Sequence, residues 1–143
     1  DAETTVPAIH ADFSRGRLQA VYVGHAFDSG RLPLPRLDLL ARRQVLPLAV
    51  EASRGCPFSC DFCALTGVGT RYHSRPADQV AEEIRSGREA LRGLVDWLRR
   101  RIVIFYDNKI GGTPRGLRAL CRALAPLKVR WGACVIFNVI RGA

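Results

Sequence analysis

Residues 51–71 read Glu51-Ala52-Ser53-Arg54-Gly55-Cys56-Pro57-Phe58-Ser59-Cys60-Asp61-Phe62-Cys63-Ala64-Leu65-Thr66-Gly67-Val68-Gly69-Thr70-Arg71. Three of the chain's five cysteines fall here, the first two separated by three residues and the last two by two. The apolar run from Val45 to Val50 leads directly into them, so the pattern predicts a strand that ends where the cysteines begin. Glycines at 55, 67 and 69 give the stretch the backbone freedom of a loop that wraps a compact object. A loop leaving the end of a strand is where α/β proteins place their chemistry.

Three neighbouring thiols restrict the chemistry. A disulfide framework prefers an even count and a secreted chain, and no signal peptide is present. A closed zinc site takes four ligands; here it would need Cys56, Cys60, Cys63 and His73, ten residues further on. An iron–sulfur cube with every iron held by protein also needs four, whereas three thiolates leave one iron open to a reactive ligand. Packing alone gives no reason to cluster thiols beside glycines and a proline.

Downstream the pattern is α/β. Pro76 suits the first turn of a helix with Asp78 in its acid-favouring turn and Val80, Ala81 and Ile84 on one face. Gly87 is expected to weaken or break that helix. A second helical run carries Leu91, Leu94, Val95 and Leu98, with Trp97 beside the stripe. Residues 102–106 form a buried-type strand ending in Asp107-Asn108 and then Gly111-Gly112. Thr113 and Pro114 open another helix with Leu117, Leu120, Cys121 and Leu124 on one face, and Pro126 stops it. A third strand is expected over 129–136, and Cys121 and Cys134 are expected in the core. Strand, helix, strand, helix, strand with long crossovers predicts parallel right-handed connections, with the cysteine loop and Asp107-Asn108 at the same edge.

Upstream, residues 1–16 read as a weakly amphipathic helix with Val6, Ile9, His10 and Phe13 on one face and Gly16 as its stop. His10 reads as a packed or half-exposed side chain rather than a ligand. Residues 18–23 suit a short strand. The proline-rich segment from Gly30 to Pro47 reads as a linker with a turn of helix near Leu37 to Arg42.

The 143 residues, 48% hydrophobic and 24% charged, suit a folded domain rather than a disordered chain. No apolar run approaches the roughly 18 to 20 residues of a membrane span. The net charge is +9, and only Lys109 and Lys128 among the 22 basic residues are lysine. The arginines are dispersed, and the cluster Arg99 to Arg101 suits a helix C-terminus, so most of this charge reads as a solvated surface.

The string Ser53-Arg-Gly-Cys56-Pro-Phe-Ser-Cys60-Asp-Phe62-Cys63 resembles the signature of the radical S-adenosylmethionine enzymes. Within them it is similar to the subgroup with an upstream cobalamin-binding domain, which includes hopanoid-modifying enzymes. The resemblance is clearest over residues 46–136. It implies the N-terminal part of a partial (β/α) barrel, about half of it present, over residues 47–143. Residues 1–46 would then be the end of the upstream domain plus a linker. It also implies that Cys56, Cys60 and Cys63 hold a 4Fe–4S cluster whose open iron binds S-adenosylmethionine. Asp107 or Asn108 would accept from the ammonium of that ligand, and the backbone near Phe62 would approach its adenine. Arg54 and Arg71 are the basic candidates for its carboxylate. The subgroup tends to carry Asp-Asp-Asn where this chain has Tyr106-Asp107-Asn108.

The chemistry so implied is reductive cleavage to a 5′-deoxyadenosyl radical, followed by C–H functionalisation or methyl transfer. An external electron donor and a small-molecule or lipid-like substrate are the implied partners. Cobalamin would belong to the parent protein, since no Asp-x-His-x-x-Gly string occurs here. A chain ending after the third strand is expected to be incapable of turnover alone. The reduced thiols and the lack of a signal suggest the cytoplasm. Two readings stay open beside this one: a small Cys3His zinc module, and a basic nucleic-acid-binding domain, although no recognisable nucleic-acid motif is present.

Overall fold

The computed structural model describes residues 2–25, 28–40, 48–67, 71–90 and 101–141. The helical run over 91–98, Trp97, the Arg99-Arg100 pair and the first half of the 45–50 strand lie outside the described residues. The chain divides into two compact units, residues 1–32 and 33–143.

In the first unit, α1 spans Ala2–Ser14, with Pro7 inside it. Gly16, at φ 65°, ends the run as expected. Thr4 Oγ1 accepts from the His25 backbone N–H at 3.0 Å, and the Tyr22 hydroxyl donates to Asp12 at 3.1 Å. These contacts hold residues 17–25 as irregular chain. The strand expected over 18–23 is absent, and Leu18, Val21 and Val23 are exposed. Strand-forming residues do not make a strand where, as here among the described residues, no neighbouring strand takes up the backbone groups.

The second unit is built on a three-stranded parallel sheet. Its strands are β1 (Leu48–Val50), β4 (Ile102–Phe105) and β5 (Arg130–Gly132), adjacent in that order. The register pairs Leu48 with Val103, Val50 with Phe105, and Val103 with Trp131. Between β1 and β4 lie the two-residue strands β2 (Ser53–Arg54) and β3 (His73–Ser74), which pair antiparallel. Three short helices, α2 (Leu37–Leu40), α3 (Ala64–Gly67) and α6 (Phe137–Arg141), accompany the longer α4 (Ala77–Ala90) and α5 (Pro114–Leu124).

One hydrophobic core joins Leu48, Val50, Val103 and Phe105 of the sheet to Val80 and Ile84 of α4 and Leu117, Leu120 and Leu124 of α5. The i, i+4 and i, i+3, i+7 spacings that predicted amphipathic helices are the spacings that face this core. The Trp131 ring meets Phe105 edge-on, with centroids 5.8 Å apart. Thr113 caps α5, its Oγ1 accepting from the Gly116 N–H at 3.1 Å.

Four expectations need correction. β4 is not buried on both faces: Val103 and Phe105 are inside while Ile102 and Ile104 are about two-fifths exposed, since α4 and α5 cover the same side of the sheet. Gly87 does not break α4, which runs through it to Ala90. A Cβ there would lie 2.7 Å from Leu37 Cδ1 and 2.9 Å from Leu48 Cδ1, so the glycine serves close packing. The last strand stops at Gly132, and residues 133–136 are irregular. Beyond Phe105 the β4 chain turns away, and Ile110 N–H donates to the Cys134 carbonyl at 3.1 Å instead of a ladder forming. Cys121 and Cys134 are exposed rather than core.

The fold is therefore mixed α/β with consecutive parallel strands. Among the described residues no helix is long and apolar enough to cross a membrane.

Candidate functional site

The C-terminal ends of β1 and β4 meet through Asp107. Its carboxylate accepts from the Ala52 N–H at 3.1 Å, from the Ser53 N–H, and from the Ser53 hydroxyl at 2.6 Å. Asp107 is 4% exposed, and burial pushes its carboxyl above the ordinary carboxylate range, opposed by the Ser53 and backbone donors. The Ser53 hydroxyl also lies 2.9 Å from the Lys109 carbonyl. Segment 52–53, the start of the cysteine excursion, is thus fastened to the turn after β4.

The other side of the neck is fastened to α4. Arg75 N–H donates to the Ala52 carbonyl at 2.9 Å, and Arg75 Nη1 donates to the Glu51 carbonyl at 2.7 Å. Arg75 Nη2 lies 2.7 Å from Glu83 in α4, and both side chains are only 5% exposed. With the β2–β3 pairing, these bonds close the base of a loop running from Gly55 to Tyr72. Gly55, at φ 81°, makes the turn into it.

Cys56 and Cys63 are half-buried in this loop and Cys60 is exposed. Cys63 N–H donates to the Cys60 carbonyl at 3.0 Å, and the Cys63 carbonyl accepts from Thr66 and Gly67 as α3 begins. Cys56 lines an open cleft of about 420 Å³ with Phe58, Leu65, Arg71 and Tyr72 among its walls. Phe62 projects outward, 93% exposed. The thiols are reachable rather than packed away, which suits a ligand role. Among the described residues, however, no group of three His, Cys, Asp or Glu side chains converges to hold a metal ion. The donor set fits a thiolate-bound cluster in kind.

The remaining predicted residues are distributed as follows. Arg54 forks onto the Glu51 carboxylate, with both bonds at 3.0 Å, so its charge is already matched at the neck. Arg71 is exposed at the cleft. Asn108 is exposed beside the buried Asp107, and Tyr106 is largely exposed. His73 sits half-buried in β3, paired across the ladder with Arg54. The structure brings Asp107 to the neck of the loop, with Asn108 beside it, and Arg71 to the Cys56 cleft.

Three residues at this edge have contacts that the sequence alone does not assign. Lys109 is 4% exposed, and its Nζ donates to the Gly112 carbonyl at 2.9 Å while lying 4.7 Å from the centre of the Phe58 ring. Gly112, at φ 60°, packs so closely on Tyr72 that a Cβ would fall 2.5 Å from the ring. Arg75 looked like one dispersed arginine among many. No local signal marks Lys109 or Arg75, although Lys109 is one of only two lysines; Gly112 belongs to the Gly111-Gly112 turn signal after the strand, which does not foretell its contact with Tyr72.

The chain is similar to several methyltransferases. It is 30% identical over 100 residues to a bacteriochlorophyllide d C-12(1)-methyltransferase of Chlorobaculum tepidum, covering 68% of this chain and 20% of that protein. It is 28% identical over 125 residues to an uncharacterised methyltransferase of Synechocystis, covering 87% and 22%. A hopanoid C-2 methylase of Rhodopseudomonas palustris is 27% identical over 121 residues, covering 84% and 21%. The chain spans about a fifth of the length of these relatives. No family model matches the chain, and no solved structure does. The expected similarity to hopanoid-modifying enzymes has a counterpart in the third relative, and the relationship is to methyltransferases.

Proposed function

We propose that this chain is the cysteine-loop part of a radical S-adenosylmethionine methyltransferase, with Cys56, Cys60 and Cys63 as thiolate ligands of a 4Fe–4S cluster. One observation carries the reading: the cysteine loop leaves the C-terminal end of β1 and is bonded at its neck to the turn after β4. Consecutive parallel strands opening on one edge are how (β/α) proteins assemble a site. The methyltransferase names of the relatives support the reaction class. Bound there, such a cluster would supply the electron that breaks the sulfonium carbon–sulfur bond of S-adenosylmethionine.

The protein's own residues divide the remaining work. Exposed Asn108 offers its amide oxygen to the ligand's ammonium. Asp107, whose oxygens already accept from Ala52 and Ser53, holds the loop in place instead of binding ligand. Arg71, at the Cys56 cleft, suits the ligand's carboxylate, and the exposed Phe62 segment suits its adenine. A small-molecule or lipid-like acceptor and an external electron donor would come from outside this chain; any cobalamin would be held elsewhere, since no Asp-x-His-x-x-Gly string occurs here.

The test is anaerobic reconstitution with iron and sulfide, followed by EPR of the reduced protein with and without S-adenosylmethionine. A 4Fe–4S signal that shifts on adding the ligand is expected. A protein that refuses iron and holds one zinc would overturn the reading in favour of a zinc module.

A further inference from the structure

We infer that Lys109 is a positioning residue, its buried ammonium holding the cysteine loop through the face of Phe58. The inference rests on the reading of that loop as a cofactor site. Phe58 lies between Cys56 and Cys60, so whatever fixes its ring fixes the backbone that carries two of the three thiols. The ring is half exposed and could swing into solvent. What faces it is the Lys109 ammonium, 4.7 Å from the ring centre.

Lys109 is unusual for a lysine. Its side chain is almost fully buried, and among the described residues no carboxylate pairs with it. Its ammonium is met by the Gly112 carbonyl and the Phe58 ring. A desolvated cation gains most from a carbonyl dipole and an aromatic face. The Lys109 backbone is also fixed, since its carbonyl lies 2.9 Å from the Ser53 hydroxyl. One turn after β4 therefore grips the cysteine excursion twice: Asp107 holds its neck, and Lys109 holds its first half.

The experiment is hydrogen exchange of the whole chain, read in peptides covering residues 55–63 and α4. Phe58→Leu and Lys109→Met should each speed exchange of the loop peptide about fivefold, as expected on losing one half-exposed cation–π contact. The double variant should go no further than either single one, and Phe58→Tyr, which keeps the ring, should exchange at the wild-type rate. Peptides of α4 should not change. Effects that add in the double variant, spread to α4 or fail to recover in Phe58→Tyr would overturn the inference. Because Phe58 is half exposed, its variants keep the test open if Lys109→Met unfolds. In reconstituted protein, Phe58→Leu should weaken the ligand-induced EPR shift and Phe58→Tyr should preserve it. If wild-type protein takes up no iron, the functional reading fails, while the exchange data still decide the role of Lys109.

Discussion

Asp107, two residues beyond β4, accepts the Ser53 hydroxyl proton at 2.6 Å, three residues beyond β1, and so locks together the exits of two parallel strands. The same carboxylate takes the Ala52 and Ser53 N–H groups. At the neck, one carboxylate thus ties the turn after β4 to a cysteine loop far away in sequence.

Removing that side chain strands buried donors. Asp107→Ala should destabilise the chain by about 2–4 kcal/mol, from the unsatisfied Ala52 and Ser53 groups. Denaturant unfolding checks this.

The pH dependence has a definite sign. Burial raises the Asp107 carboxyl above its ordinary value, so the folded state binds a proton where the unfolded state has released it. The stabilising contribution of this group is complete below the unfolded-state value and falls as pH rises through the raised folded-state value. Asp107→Asn should remove that component. Urea midpoints from pH 4 to pH 7 should fall more steeply for wild type than for the variant, and equal slopes would refute the assignment.

Arg75 and Glu83 form a buried pair that also carries the Glu51 carbonyl. Glu83→Gln leaves the guanidinium without its charge partner and should cost about 3 kcal/mol or more. It should also loosen the loop neck, seen as faster proteolysis between Gly55 and Tyr72.

Gly87→Ala tests close packing against propensity. Alanine favours a helix by about 1 kcal/mol. Overpacking against Leu37 and Leu48 should outweigh this, at about 1–3 kcal/mol. A net loss of stability is expected, partly relieved when Leu37→Ala is added. A gain in melting temperature for Gly87→Ala alone would contradict the packing account.

The five cysteines should separate into two classes. Cys56→Ala, Cys60→Ala and Cys63→Ala should each lower iron retained after reconstitution, whereas Cys121→Ala and Cys134→Ala should leave it unchanged. Iron and sulfide analysis of the five variants distinguishes these outcomes.

The amphipathic spacing of Val80, Ala81 and Ile84, and of Leu117, Leu120 and Leu124, could be read from the chain because helical periodicity is a local property. So could the helix start at Pro76 and the cap at Thr113. The three-cysteine loop after an apolar strand was equally visible. The structure departs from local preference where a distant neighbour decides the outcome. Residues 18–23 have strand-forming composition and find no partner strand among the described residues. Ile104 is apolar and faces an uncovered side of the sheet. Gly87 resembles a breaker until Leu37 and Leu48 are placed against it.

The alternation of the three parallel strands with α4 and α5, and the position of the thiols at a strand end, follow from local preference and connectivity alone, whereas the β2–β3 pair and α6 do not. Packing settled the rest: which carboxylate is consumed in holding the neck, which arginine is buried on Glu83, and which lysine meets Phe58. Those roles join residues far apart in the chain, such as Ser53 with Asp107 and Phe58 with Lys109. Hydrogen bonds and cation–π contacts of this kind depend on ångström-scale approach after folding, which no sequence period encodes.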